Sequence, residues 1–311
     1  MNSKDINFPI RLQVPSYDSE DIKNITRLME STNVVMGKKT IDFQNRWSKW
    51  LSSPFSTMVN SGSSANLLVA NLLMSKRGNY NLESGDEVLV PAVTWSTTLF
   101  PIIQLGLKPI LVDVKPETFN IDIESCREAI SEKTKAIFIV HLLGNPCNMD
   151  EISSFCDEYN LLLIEDCCES HGASWSSQKV GTFGIASTFS FMFAHHISTI
   201  EGGMVSCSNA LDDSIIKASR AHGWIREIDS DLRANIANKS KINDHRFLFW
   251  DLGFNLRPTE INAELGISQL KKIDNFIKIR NENFKHYKKG FEQLSDFVQV
   301  QELENPEKSL R

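Results

Sequence analysis

The stretch Leu161-Leu162-Leu163-Ile164-Glu165-Asp166 contains four consecutive apolar residues followed by two carboxylates. A short apolar run of this kind is typical of a strand in the buried part of a parallel sheet. The pattern predicts a strand over Leu161–Glu165, with the carboxylate of Asp166 projecting from its C-terminal end. Ligands of open α/β sheets bind beyond the carboxyl ends of the strands, so Asp166 is a candidate site residue.

Similar apolar runs alternate with helical patterns on both sides of this strand, which indicates an α/β fold with a mostly parallel sheet flanked by helices. The other predicted strands are Glu87–Val90, Pro109–Val114, Ala136–Val140, Thr188–Phe191 and Met204–Cys207. The predicted helices are Ser63–Met74, Ser96–Leu105, Ile123–Ile130, Glu151–Tyr159 and Asp212–Ala221, with Asp122 and Asp150 as N-caps.

The C-terminal part of the sequence predicts a second, smaller unit. From Pro258, at a predicted first helical turn, a charged amphipathic pattern runs towards Phe291. We expect a large ligand-binding domain over residues 1–265 and the start of a small C-terminal α/β domain over 266–311. Because the chain stops at Arg311, just after this second domain begins, the small domain looks incomplete.

Composition and charge argue against several classes of protein. The 311 residues, 41% of them apolar, can bury a large core. A net charge of -6 argues against a surface for nucleic acid or anionic membranes. The start, Met1–Asp5, is polar, and no apolar run is long enough to span a bilayer. Six cysteines, with Cys167 and Cys168 adjacent, do not form a secreted disulfide framework, so we expect a cytoplasmic protein.

A candidate phosphate site precedes the helix predicted at Ser63. The residues Asn60-Ser61-Gly62-Ser63-Ser64 supply hydroxyls and free N–H groups at a helix start, which suit a phosphate group. We expect Gly62 to permit an unusual backbone turn. Ser190 would add a hydroxyl from a distant strand. Serine and glycine before a helix are equally typical of ordinary capping, so this motif alone does not decide between the two.

The residues themselves suggest three further candidates for the ligand site: Trp95, Asp166 and Asn255. Trp95 lies where a strand gives way to a helix, and its indole would either stack on an aromatic cofactor or pack in the core. Asp166 would either keep a pyridine nitrogen protonated or cap a nearby loop or helix, and the neighbouring motifs favour the first role. Asn255 would add a side-chain amide to the candidate ligand site.

The segment Thr188-Phe189-Ser190-Phe191-Met192-Phe193-Ala194-His195-His196, with Glu201-Gly202-Gly203 after it, resembles the cofactor-anchoring stretch of the DegT/DnrJ/StrS family of sugar aminotransferases. The family binds pyridoxal phosphate (PLP), has the aspartate-aminotransferase-like PLP fold type I, and acts on nucleotide-linked sugars. Its pattern carries a lysine where His195 stands. Imidazole can move protons near neutral pH but cannot bond the cofactor covalently. Ordered matches extend the resemblance from about Pro15 to Leu270.

The resemblance implies a role for each candidate. Asp166 would pair with the pyridine nitrogen and Trp95 would stack on the ring. The phosphate would be held by Gly62, Ser63 and Ser190, and by Asn255 from the partner subunit of an obligate homodimer. Glu169 stands where most relatives carry Gln or His, and it would bind the ring hydroxyl or the substrate. Substrate-binding candidates are His222 and Arg257, with Arg220 and Arg226; ordinary structural roles are equally open for these four.

Two subgroups of the family carry histidine in place of the lysine, and both remove the 3-hydroxyl of the sugar. One uses an iron–sulfur cluster on four cysteines, but the segment His222–Asn243 lacks the later cysteines, and Cys168 alone cannot hold a cluster. The sequence is more similar to the other subgroup, so we expect no iron–sulfur cluster. This implies a lyase that uses PLP, its amino form pyridoxamine phosphate (PMP) and glutamate.

The expected reaction is 3-dehydration of a nucleotide-linked 4-keto-6-deoxy sugar, GDP-4-keto-6-deoxy-D-mannose, in dideoxysugar and O-antigen biosynthesis. His195 would be the general base. Two alternatives stay open: a sugar aminotransferase that tolerates histidine, and a non-catalytic sugar-binding protein. The adjacent His195 and His196 also suggest a metal site, but no carboxylate or cysteine ligand with suitable local spacing accompanies them, so we expect no metal.

Overall fold

The computed structural model describes residues 16–242 and 244–311, so the polar start Met1–Asp5 lies outside the described residues. The helices are α1 (Ser19–Glu30), α2 (Lys38–Leu51), α3 (Gly62–Met74), α4 (Ser96–Gln104), α5 (Ile123–Ala129), α6 (Met149–Tyr159), α7 (Ala210–Arg220), α8 (Ser230–Lys239), α9 (Glu260–Leu270) and α10 (Ile273–Phe291). The strands are β1 (Phe55–Val59), β2 (Glu87–Pro91), β3 (Lys108–Val112), β4 (Thr134–Val140), β5 (Leu162–Asp166), β6 (Ser174–Trp175), β7 (Gln178–Lys179), β8 (Ala186–Ser190), β9 (Gly203–Cys207) and β10 (Ser309–Leu310).

The central sheet has seven strands in the order β1-β9-β8-β5-β4-β2-β3. The pairs β8–β5, β5–β4, β4–β2 and β2–β3 are parallel, whereas β9 is antiparallel to both of its neighbours. The expected mostly parallel sheet flanked by helices is therefore confirmed. A small antiparallel sheet joins β10 to β6 and β7.

The strand β5 lies in the middle of the central sheet and is covered on both faces. Ile164 packs in the cluster that α3 forms with β2 and β4, while Leu163 packs on the opposite face with the residues of α6. Successive residues of a strand point to opposite faces, and burying each such side chain stabilises the fold by about 1.5–3 kcal/mol. This two-sided burial explains the apolar run and holds Asp166 at the carboxyl edge.

The six strands and five helices predicted between Ser63 and Ala221 all form, with ends that differ by two residues at most from those expected. Pro258 was expected in a first helical turn but lies before the N-cap Thr259. Asp122 caps α5 as predicted, by accepting a hydrogen bond from the backbone of Ser125. The cap predicted at Asp150 is wrong, because Asn148 caps α6 by accepting from the backbone N–H of Glu151. Asp150 lies inside the first turn instead.

The long pattern predicted from Pro258 forms two helices rather than one. Thr259 caps α9, and the break before α10 places the Nζ of Lys272 2.8 Å from Asp18 and 2.7 Å from Asp21 on the first helix. The predicted domain boundary at 265/266 falls inside α9, and the division into two domains stays a prediction. None of the helices in the described residues is long and apolar enough to cross a membrane.

Candidate active site

A cleft of about 330 Å³ opens at the carboxyl ends of the parallel strands. Its walls come from the ends of β4, β5 and β8, the first turn of α3, and the loop before α4. Most of the candidate residues line it together: Gly62, Ser63, Trp95, Asp166, Glu169, Ser190 and His195. The sheet thus brings together residues that are up to 133 positions apart in the sequence, from Gly62 to His195.

Asp166 is the last residue of β5, and its carboxylate is held at both oxygens. Oδ2 accepts hydrogen bonds of 2.9 Å from Nδ2 of Asn66 and 2.9 Å from the hydroxyl of Thr98. Oδ1 accepts a bond of 3.1 Å from the backbone N–H of Cys168. These donors fix the orientation of a carboxylate that is only 4% exposed.

Asn66 and Thr98 were not predicted as site residues. The sequence did contain a signal for Asn66, because its amide lies among the apolar residues of α3; in the structure it is 1% exposed. A polar side chain buried in an apolar helix needs a partner, and here its partners are Asp166 and Thr188. Thr98, on α4, had no comparable signal.

The first turn of α3 forms the opposite end of the cleft. Ser61 caps this helix by accepting from the backbone N–H of Ser64 at 3.0 Å. The N–H groups of Gly62 and Ser63 have no acceptor within the helix, and the positive end of the helix dipole lies there, so this turn suits a phosphate group. The hydroxyls of Ser63 and Ser190 line the same cleft.

Gly62 is required for close packing and not for an unusual turn, which corrects the expectation from the sequence. It is the first residue of α3 and does not have a positive φ. A Cβ at this position would lie 2.6 Å from the Cβ of Ser190 and 3.0 Å from the Sγ of Cys168. Glycine therefore lets the helix start approach the end of β8.

Trp95 lies at the N-cap position of α4 and is 73% exposed. The alternative of a core tryptophan is therefore wrong. The indole lines the cleft together with Asp166 and His195, and is available to cover a planar ligand.

His195 lines the cleft in an environment that favours its neutral form. Burial lowers the pKa of the imidazole and the charge of Arg280 lowers it further, although the carboxylate of Asp166 opposes this shift. A neutral imidazole can accept a proton, which is the property that a general base needs.

Behind His195, His196 turns towards the buried His171. Their Nδ1 atoms are 3.3 Å apart, and the ring of His171 lies among Trp47, Phe189 and Phe191, at centroid distances of 5.6, 5.6 and 5.7 Å. Burial holds the pKa of both histidines well below its usual value. The pair packs the segment that carries His195 against the core.

Glu169 is held at the edge of the cleft by the loop after β4. Its Oε2 accepts a hydrogen bond of 2.9 Å from the backbone N–H of Leu143, a residue in the left-handed region with φ 54°. The contact orients the carboxylate without neutralising it.

Asn255, Arg257 and His222 do not line this cleft. Asn255 and Arg257 line a separate cavity of about 340 Å³ beside Trp224, where Nε of Arg257 donates to Oδ1 of Asn255 at 3.1 Å. His222 is exposed, and its backbone N–H donates to the carbonyl of Phe254. The partner-subunit role of Asn255 and the substrate roles of Arg257 and His222 stay predictions.

Arg220 is buried. Its guanidinium donates to the carbonyl of Met58 at 2.7 Å, to Gln44 at 3.0 Å and to Glu227 at 2.6 Å. A structural role therefore accounts for this arginine. The guanidinium of Arg226 lies 5.2 Å from the ring centre of Trp224, away from the cleft.

Within residues 16–242 and 244–311, His141, Glu165 and Cys167 have potential metal-ligating atoms within 4.8 Å of one another. The side chains of His141 and Glu165 already have protein partners. Glu165 accepts from the backbone N–H groups of residues 181, 183 and 184, and Nδ1 of His141 accepts from that of Cys147. His141 therefore carries its hydrogen on Nε2 and donates it to Glu165 at 3.1 Å. This group anchors loops beneath the cleft.

Apart from the adjacent Cys167 and Cys168, the cysteines lie in separate segments. Five of the six are buried: Cys126, Cys147, Cys156, Cys167 and Cys207. Burial raises the pKa of Cys126 and Cys156 to about 12, so these thiols keep their protons at neutral pH. Only the partly buried Cys168 lines the cleft.

The geometry fits a phosphorylated pyridine. A fixed carboxylate lies at one end of the cleft, a helix start with two hydroxyls lies at the other, and an exposed indole and a neutral imidazole lie between. These are the groups that would hold the ring nitrogen, the phosphate and the ring faces of PLP.

Comparison with known proteins agrees with this geometry. Residues 15–310 match the model of the DegT/DnrJ/EryC1/StrS aminotransferase family. GDP-4-keto-6-deoxy-D-mannose 3-dehydratase of Escherichia coli O55:H7 is 39% identical over 283 residues, which cover 91% of this chain and 72% of the relative.

Solved structures give the same result. The E. coli GDP-4-keto-6-deoxy-D-mannose-3-dehydratase with bound hydrated PLP superposes with a TM-score of 0.84 at 39% identity, covering 90% of this chain and 72% of the other. A GDP-4-keto-6-deoxymannose-3-dehydratase with a trapped PLP-glutamate geminal diamine gives 0.82 at 37% identity, with coverages of 90% and 72%. The expected PLP fold type I is therefore confirmed.

Proposed function

Since the chain belongs to the DegT/DnrJ/EryC1/StrS aminotransferase family, we propose that it is a PLP- and glutamate-dependent 3-dehydratase of a nucleotide-linked 4-keto-6-deoxy sugar. The proposed substrate is GDP-4-keto-6-deoxy-D-mannose, and the proposed pathway is dideoxysugar and O-antigen biosynthesis. The observation that carries the proposal is the position of His195, which lines the cleft with Asp166 and Ser190. By the resemblance of the sequence, this is the position where the aminotransferases of the family carry the anchoring lysine.

We propose that the cleft binds the cofactor by non-covalent contacts alone. Asp166 would hold the ring nitrogen, while the first turn of α3 and the hydroxyls of Ser63 and Ser190 would hold the phosphate. Trp95 would cover one face of the ring, and Glu169 would bind the ring hydroxyl or the substrate. The hydrogen bonds from Asn66 and Thr98 support this assignment, because they fix the orientation of the carboxylate through Oδ2, while Oδ1 has a single backbone partner.

When bound, the cofactor would supply an electron sink and, in its PMP form, the amine that reacts with the 4-keto carbon of the sugar. His195, as general base, would hold on a ring nitrogen the proton that is removed from the cofactor's reactive carbon. The resulting imidazolium would then donate this proton to the 3-hydroxyl as it leaves. Between these two steps, the negative charge of Asp166 would stabilise the protonated imidazole, since this charge raises the pKa of His195.

The histidine matters because it lacks a primary amine. A lysine at this position would compete for the cofactor and displace bound sugar, so the amino group would tend to remain on the product. Imidazole does not displace the sugar in this way, so the bound sugar can lose its 3-hydroxyl instead. Hydrolysis of the released product would then give a 3-deoxy-4-keto sugar and ammonia.

We also propose a homodimer with shared active sites. Asn255 and Arg257 are exposed and lie in a cavity separate from the cleft, as expected if they serve the cleft of the partner. We infer a cytoplasmic location as well, because the six cysteines are unpaired, which suits a reducing compartment.

The test is an assay of ammonia release. The protein, loaded with PLP, is incubated with glutamate and a panel of nucleotide-linked 4-keto-6-deoxy sugars. We expect 2-oxoglutarate, ammonia and a 3-deoxy-4-keto sugar, with the GDP-linked mannose derivative the best substrate. Retention of the amine on the sugar would identify an aminotransferase instead. Binding of the sugar without any turnover of glutamate would identify a binding protein.

A further inference from the structure

A second cavity, of about 650 Å³, adjoins the cleft on the side away from the helix α3. The two share Glu169 and His195, so a ligand in this cavity lies next to the general base. The helix α10 forms the far wall, where Ile277 and Phe284 provide apolar surface and Arg280 provides a charge. We refer to it as the α10 cavity.

Arg280 faces the α10 cavity without a carboxylate to neutralise it. Within residues 16–242 and 244–311, its guanidinium has no ion pair within 4.0 Å, and its one hydrogen bond is a long contact of 3.5 Å to the backbone carbonyl of His195. Its charge is nevertheless close enough to lower the pKa of His195, His196 and His171. A guanidinium in this position has most of its five N–H donors available for a ligand.

The charges of the α10 cavity favour an anion. Arg311 adds a second guanidinium, which lies 3.9 Å from the ring centre of Phe284 and donates to Gln301 at 2.8 Å. The one carboxylate side chain in the lining is that of Glu169, which already accepts from Leu143, and burial keeps the two histidines neutral. The side chains that line the α10 cavity therefore include two guanidiniums and one carboxylate.

We propose that Arg280 binds a carboxylate of the amino donor, glutamate, while the reacting end of that molecule lies beside His195. This inference rests on the proposed function. An arginine pairs with a carboxylate through two parallel hydrogen bonds, and the apolar surface of Ile277 and Phe284 suits the methylene groups of a dicarboxylic acid. The diphosphate of the nucleotide sugar is the other anion in the reaction, and the test separates the two.

Calorimetry with unreactive ligands measures each anion alone. Glutarate carries the two carboxylates of glutamate without its amine, and GDP carries the diphosphate. In Arg280→Gln, we expect the dissociation constant for glutarate to rise about 10- to 100-fold, the effect of losing a charged hydrogen bond, and that for GDP to stay within about twofold. Arg280→Lys keeps the charge but not the paired donors, and should recover part of the affinity.

Lys278→Gln is the matched control, because Lys278 lies on the same helix, is exposed, and does not line the α10 cavity. It should leave both affinities unchanged. In stopped-flow spectra of the PLP-loaded protein, Arg280→Gln should likewise raise the glutamate concentration that gives the half-maximal rate of PMP formation. A normal glutarate affinity in Arg280→Gln, or a loss for GDP alone, overturns the proposal. Failure of wild-type protein to release ammonia would instead overturn the proposed function.

Discussion

The side-chain amide of Asn66 donates a 2.9 Å hydrogen bond to Oδ2 of Asp166, a residue 100 positions further along the chain. The oxygen of this side-chain amide, Oδ1, accepts a hydrogen bond of 2.6 Å from the hydroxyl of Thr188. Asn66 therefore connects the start of α3, the end of β5 and the strand β8. This side chain thereby links the first turns of α3 to the carboxylate at the end of β5.

Replacing Asn66 should weaken cofactor binding. Asn66→Ala leaves Oδ2 of Asp166 with Thr98 as its remaining side-chain donor, so the carboxylate loses part of its orientation. We expect the dissociation constant for PMP, measured by fluorescence titration, to rise about tenfold, the cost of roughly one buried hydrogen bond to a charged group. Asn71→Ala is the control, because Asn71 lies on the same helix and donates to Ser219 instead. Equal losses in both variants would indicate a general effect on α3.

The sequence predicted the parts of the fold that are determined by local burial. β5 was evident because it is apolar on both faces, and Asp166 was evident because it ends that strand. β1 was not predicted, because its polar residues Ser56 and Thr57 are satisfied only in the folded protein, by Ser206 and Asp213. No local pattern contains those partners.

The same limit applies to the C-terminal helices and to the site. The break between α9 and α10 coincides with contacts of Lys272 to α1, some 250 positions away, so the amphipathic pattern alone predicted one helix. Arg280 belongs to that pattern as an ordinary charged residue of a helix. Its position beside His195 follows from how α10 packs, and this packing is a property of the tertiary structure.

His195→Lys should convert the chemistry of the cleft. The lysine amine can bond the cofactor aldehyde, so the PLP-loaded variant should show the absorption band of a lysine-bound cofactor and release no ammonia from the sugar. His195→Asn, which has neither an amine nor a base, should show neither the band nor the activity. His196→Asn controls for the neighbouring position, since this ring faces His171. Dehydration retained in His195→Lys would contradict the assignment of His195 as the base.

Stability should depend on pH through the buried His171. Burial holds its pKa in the folded protein well below the usual value, so the unfolded chain binds a proton more readily. This contribution to stability is complete above the unfolded pKa of about 6.5, and it is lost as pH falls towards the folded value. As pH falls below about 6.5, wild type should lose stability more steeply than His171→Phe, by up to about 1.4 kcal/mol per pH unit.

Urea denaturation of both proteins at several pH values measures this difference, and the slopes of the two free-energy profiles are compared. His286→Gln, an exposed position on α10, should keep the wild-type slope. Parallel profiles for wild type and His171→Phe would mean that the proton is taken up elsewhere.

Alanine substitutions at Gly62 and Gly290 should have opposite effects on stability, because a Cβ meets close neighbours at the first position and none at the second. In Gly62→Ala, the new methyl group would lie 2.6 Å from the Cβ of Ser190, so the helix start must shift. Overpacking of this kind costs about 1–3 kcal/mol, and the shift should also weaken binding of inorganic phosphate and of PMP. Gly290→Ala, in α10, meets nothing within 4 Å and should instead stabilise the protein by about 0.5–1 kcal/mol, because alanine is the better helix former.

Urea denaturation gives both free energies of unfolding. A neutral Gly62→Ala with unchanged PMP affinity would show that β8 can yield at Ser190, and that the phosphate end of the cleft does not depend on this contact.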